Sequence, residues 1–144
     1  MLRSIIAVTV GVLLGVCIVI FASFFAAEIA PIPESLDPIS ADAMKRLPLT
    51  NKLIIISIWA LGAFLGAIAA SYISRRWAPA SWVVASAMLL FAISNFASFP
   101  APIWMVFASL GAIISGGYLA VAATGARYKI PGPKSGSDRQ GRLI

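Results

Sequence analysis

The chain is 144 residues long, 60% hydrophobic and only 11% charged, with eleven Lys and Arg against five Asp and Glu and a net charge of +6. A soluble domain averages about 25% charged residues, so too little polar surface remains here to coat a water-exposed fold, and the composition points to an integral membrane protein. Histidine is absent and Cys17 is alone, which excludes imidazole triads, an intrachain disulfide and Cys- or His-rich metal sites; the expectation is no cofactor, no metal and no catalysis.

The first predicted element is a span over about residues 5–27, a run without charge between Arg3 and Glu28. Crossing about 30 Å of hydrocarbon takes roughly 20 apolar residues, and this run suffices. It exceeds the 7–15 residues usual for a cleaved secretion signal, and Val16 beside Cys17 spoils a lipidation box, so an uncleaved anchor is expected. Ala7, Gly11 and Gly15 recur every four residues, a small-residue face of the kind that brings helix backbones together in lipid.

A loop follows over residues 28–52, holding Glu28, Glu34, Asp37 and Asp42, with prolines at 31, 33, 38 and 48 that keep much of it extended. One short helix fits within it. Ser40 would be its N-cap, Asp42 would lie in the first turn and Lys45 and Arg46 in the last, and Pro48 would stop it. Ile39, Ala43, Met44 and Leu47 would share a face resting on the membrane surface.

Three further spans are predicted at about 53–74, 80–98 and 103–126. The second carries Gly62, Gly66 and Ala70 at four-residue spacing; the fourth offers two registers, Gly111 with Ser115, or Ala112 with Gly116 and Ala120. The third has no glycine and a bulky run from Met88 to Phe91, so it is expected at the periphery of a tight group of spans one, two and four. One stripe in excess of internal packing would serve a partner helix or a second copy. The stretch "NFASFPAPIW" between the last two spans reads as a tight turn, with Asn95 one helical turn inside the membrane. Glu28, Trp59, Asn95 and Trp104 fall at similar depth and form a candidate outer pocket, while the four tryptophans fit an aromatic belt at the two interfaces.

Eight of the eleven basic residues lie at the N-terminus, between spans two and three, or in the tail at 127–144. The positive-inside rule then puts both termini in the cytoplasm. Lys45, Arg46 and Lys52 dissent. Arg75, Arg76, Arg127 and Lys129 are expected to contact lipid headgroups, at about 1 kcal/mol for each base near an anionic surface. The tail has a disordered composition without the interleaved aromatics of a nucleic-acid binder, so no nucleic acid is expected as a partner. A faint two-plus-two repeat is visible: P-x-P after the odd spans, and LGA, then Arg and an aromatic, on the even ones.

The order P-x-P, DP, a short helix ending in LP, WALGAFLG, then Asn and P-x-P-x-W resembles a family of small bacterial four-span integral membrane proteins over about residues 5–126. The resemblance implies a four-helix fold in the bacterial cytoplasmic membrane and brings no activity or site residues. Taken together, the reading is an all-α, four-helix membrane bundle, N-in and C-in, with an interfacial helix in its first outer loop. Its expected role is noncatalytic association, as an accessory subunit of a larger membrane complex or as a self-associating scaffold; the alternative is a small transporter or lipid- or solute-binding protein built on the outer pocket. The orientation predicts that a Ser35→Cys chain, with Cys17 replaced by Ala, reacts with an impermeant maleimide in intact cells. Labelling only after permeabilisation would reverse the topology.

Overall fold

The computed structural model describes residues 2–31 and 43–128. Five helices follow in order: α1 (Leu2–Ile29), α2 (Ala43–Arg46), α3 (Leu49–Ile73), α4 (Ala78–Ser98) and α5 (Ile103–Thr124). The four long ones have 28, 25, 21 and 22 residues, about 32–42 Å at 1.5 Å per residue. Each is long and apolar enough to cross a membrane, and the chain is a multi-pass membrane protein by that measure. Helix ends agree with the sequence reading to within a few residues. The main difference is at α3, where the polar Thr50, Asn51 and Lys52 join the helix ahead of the apolar run, with Pro48 at the N-cap and its carbonyl accepting from Lys52 N at 3.3 Å. Ser40, Asp42, Lys129 and the rest of the tail lie outside the described residues, so of the expected loop helix only the turn Ala43–Arg46 is seen.

Packing centres on α3. Gly11 and Gly15 of α1 meet Gly66 and Gly62 of α3 in antiparallel register. A β-carbon placed on Gly66 would stand 2.6 Å from the Gly11 carbonyl oxygen, and one on Gly62 would stand 2.9 Å from that of Gly15. The obstructing atoms are backbone, which cannot rotate away, so these positions require glycine. Another face of α3 receives α5, where Gly116 stands against the Ala60 carbonyl and the Phe64 amide. Of the two registers open for the fourth span, the one with Ala112, Gly116 and Ala120 is used: Gly116 and Ala120 are buried, whereas Gly111 has nothing within 4 Å and Ser115 is exposed.

The third span is not peripheral, contrary to expectation. Its bulky residues fill the spaces that the glycines open: Val84 and Met88 of α4, both fully buried, lie against Gly11, Gly15, Gly62 and Gly66, and Ala85 meets Gly117 of α5. Thus α4 packs on α1, α3 and α5, while α1 and α5 share no packed interface. Large apolar side chains such as Ile5, Leu13, Phe21, Leu90, Phe107 and Leu119 are left exposed around the outside, as a lipid-facing surface requires.

Two hydroxyls stitch the spans where glycine does not. Ser81 Oγ donates to the Ala67 carbonyl at 2.9 Å, joining α4 to α3, and Ser71 Oγ donates to Thr124 Oγ1 at 2.8 Å, joining α3 to α5. Such bonds within lipid contribute on the order of 0.6–2 kcal/mol each.

A Gly66→Ala substitution is predicted to destabilise the bundle by about 1–3 kcal/mol through backbone overpacking. Gly111→Ala should be neutral or stabilising by up to about 1 kcal/mol, the helix-propensity gain. Thermal unfolding of both variants in one detergent checks the contrast, and equal effects would contradict the packing described.

Candidate functional site

Two places in the fold concentrate polar chemistry, one at each end. At the end where α1 meets the loop, an open groove of about 410 Å³ runs between α1 and α4, lined among others by Ser23, Phe24, Ala27, Trp59, Phe91 and Asn95. Trp59 sits in its wall and is only 4% exposed, tilted against Phe91 at 5.7 Å and Phe96 at 6.5 Å between ring centroids. It is therefore a core residue rather than an interfacial anchor, because the α3 face that carries Trp59 turns toward α4 instead of toward headgroups. Asn95 is half-buried and its side-chain amide makes no hydrogen bond among the described residues. The structure thus brings Trp59 and Asn95 together. Glu28 and Trp104 are not among the groove's lining residues: Glu28 is exposed near the end of α1, and Trp104 is 45% exposed in the first turn of α5.

The segment Phe99–Pro102 between α4 and α5 is a tight connection. Phe99 N closes α4 on the Asn95 carbonyl at 2.9 Å, and the Pro102 carbonyl opens α5 by accepting from Met105 N and Val106 N. Its two prolines stop one helix and start the next, and only Asn95 from the flanking run reaches the groove.

Sequence reasoning missed the residues that fasten the loop. Asn51 Nδ2 donates to the Ala30 carbonyl at 2.8 Å, tying the start of α3 to the end of α1, and Lys52 Nζ donates to the Lys45 carbonyl at 2.8 Å, at the end of α2. Lys52, read only as a dissenting charge, is 9% exposed and serves as a tie. The available signal was its position in the first turn after a helix-stopping proline, where a long donor can reach back to the preceding carbonyls. A smaller cavity of about 210 Å³ lies beside these ties, lined by Ser23, Ala27, Leu47, Asn51 and Ile54 among others.

The opposite end is basic. Arg3 Nε donates to the Ile73 carbonyl at 2.7 Å, a guanidinium on the last turn of α3, where positive charge suits the helix dipole. Beyond it the chain turns through Arg75 and Arg76, with φ of 60° and 61°. Arg127 N donates to the Arg76 carbonyl at 2.8 Å, and Ala78 N donates to the Arg127 carbonyl at 3.0 Å, so Arg127 is paired in parallel with Trp77. Trp82 Nε1 donates to the Tyr128 hydroxyl at 3.2 Å. Of the four predicted headgroup contacts, Arg75, Arg76 and Arg127 are brought together and exposed, and Lys129 lies outside the described residues.

Among the described residues there is no group of three His, Cys, Asp or Glu side chains that could hold a metal. Comparison of the chain with family models, with curated proteins and with solved structures returns no match.

Because its amide has no hydrogen-bond partner among the described residues, Asn95 is predicted to contribute nothing to stability. Asn95→Leu should melt at the parent temperature or up to about 1 kcal/mol higher, as expected when a partly desolvated polar group is removed. A clear loss of stability would show that the amide holds the fold and is not free for a ligand.

Proposed function

We propose that this chain is a noncatalytic membrane protein that works by helix association, as an accessory subunit or a self-associating scaffold, in a bacterial cytoplasmic membrane with both termini inside. The observation that carries this reading is the unequal use of its helical glycines. Gly11, Gly15, Gly62, Gly66, Gly116 and Gly117 each stand against a neighbouring helix at 3.0 Å or less from an added β-carbon, whereas Gly111 has open space before it. Small faces are how helices approach in lipid, and the face of Gly111 and Ser115 is the one this chain leaves unused. Ser115 Oγ donates back to the Gly111 carbonyl at 2.8 Å, which spends its proton within α5 and leaves a small face suited to close packing. In the same orientation α2 would lie at the outer surface, tied down by Lys52.

A second reading has one observation in its favour. The open groove between α1 and α4 contains Trp59 and an Asn95 amide without a hydrogen-bond partner among the described residues, and it would suit an amphipathic solute or a lipid in a small transporter or binding protein. The resemblance to small bacterial four-span proteins is compatible with either.

Association is tested by mild detergent extraction of the full chain with in-membrane crosslinking. The expected result is a fixed-stoichiometry complex that Gly111→Leu disrupts while leaving the monomer fold and its melting temperature unchanged. Gly11→Leu and Gly62→Leu are unsuitable probes because both positions are consumed inside the chain. A lone monomer in the native membrane, or a complex indifferent to Gly111→Leu, would overturn the reading.

A further inference from the structure

We propose that the Arg75–Arg76 turn, with Arg127 hydrogen-bonded beside it, is a built binding site for the phosphodiester of an anionic lipid headgroup. The inference does not depend on the association reading. It begins with an anomaly in the backbone. The α3 and α5 helices end at the same end of the bundle with the same pattern of terminal bonds: Arg75 N to Tyr72 O and Arg76 N to Ser71 O for α3, and Gly125 N to Ala122 O and Ala126 N to Val121 O for α5. The residue whose amide makes the first bond of each such pair is left-handed and is ordinarily glycine. In α5 it is Gly125, at φ 58°; in α3 it is Arg75, followed by a second left-handed arginine. Side chains rarely adopt this conformation, and residues held in it cluster where a site requires them.

The amides of the turn are spent on α3 itself, so its attraction for an anion rests on side chains. Their roots are fixed on both sides, since the Arg76 carbonyl accepts from Arg127 N and the Arg127 carbonyl accepts from Ala78 N. Three exposed guanidinium groups therefore project from one hydrogen-bonded patch, and no carboxylate accompanies them among the described residues of this end, the one described acid, Glu28, lying at the other. A planar guanidinium fork matches two oxygens of a phosphate. Lipid is favoured over free phosphate by the patch's place at the end of apolar helices: Tyr72 in the last turn of α3 and Val83 in the second turn of α4 are 58% and 50% exposed, and Trp77, Trp82 and Tyr128 are aromatic residues of the kind typical of the headgroup level.

The test uses the purified full chain in a neutral detergent, where both ends are accessible and membrane orientation plays no part. Native mass spectrometry would follow titration with dioctanoyl phosphatidylglycerol, dioctanoyl phosphatidylcholine or inorganic phosphate. Phosphatidylglycerol is expected to bind well above phosphatidylcholine, and about thirtyfold more weakly to the Arg75→Gly/Arg76→Gly chain. That variant should melt no lower than the parent, because glycine suits the left-handed turn. Arg127→Gln, which leaves the backbone pairing intact, should also weaken binding. The Arg75→Lys/Arg76→Lys chain should bind several-fold less tightly than the arginines. Undiminished binding by the glycine pair, equal binding by the lysine pair, or equal affinity for phosphatidylcholine would each overturn the site. Displacement of the lipid by inorganic phosphate at equal concentration would overturn its assignment to lipid.

Discussion

Everything in this bundle depends on how near two backbones can come in a medium where apolar side chains gain nothing by leaving the solvent. Lipid tails are as apolar as leucine, so helices in a bilayer join through close packing and hydrogen bonds instead. The antiparallel meeting of Gly11 and Gly15 with Gly66 and Gly62 supplies that closeness between α1 and α3. The carbonyls of one helix occupy the space where β-carbons of the other would be. Once the two backbones lie together, the hollow alongside is filled by Val84 and Met88 of α4, so the bulk of one helix complements the smallness of the others.

The two ends of the bundle are finished by different means. At the loop end, side chains reach to backbone: Asn51 to Ala30 and Lys52 to Lys45. At the basic end the Arg3 side chain also reaches the Ile73 carbonyl, but there backbone pairs with backbone as well, through Arg76, Arg127 and Ala78, supported by the Ser71–Thr124 hydroxyl pair one turn within. The groove with Trp59 and Asn95 lies toward the loop end, and the arginine patch lies at the other.

Much of this fold was legible in the sequence, because uncharged runs of this length leave little choice of medium and spacing of four along Gly62–Gly66–Ala70 marks a helix face directly. Three things were not. Span three looked peripheral because smallness was read as the only sign of close packing, whereas Met88 and Val84 show that the complement of a small face is a large one. The candidate outer pocket was half legible: depth could be read from position, which placed Glu28, Trp59, Asn95 and Trp104 together, but rotation about each helix axis could not, and rotation keeps only Trp59 and Asn95 in the groove. The basic patch was legible as charge. Its construction was not, since the pairing of residue 127 with residues 76–78 joins segments some fifty positions apart and has no local signature.

That pairing has a consequence in time. The amide of Ala78, at the start of the third span, takes its acceptor from a carbonyl that does not exist until residue 127 has been synthesised. For the whole interval in which the last span is being made and inserted, the hairpin of α3 and α4 has its helices but an unfinished corner. The molecule is therefore closed by its last membrane helix, and a chain truncated before Arg127 would keep every glycine contact between α1 and α3 while leaving the corner that carries Arg75 and Arg76 without its strap.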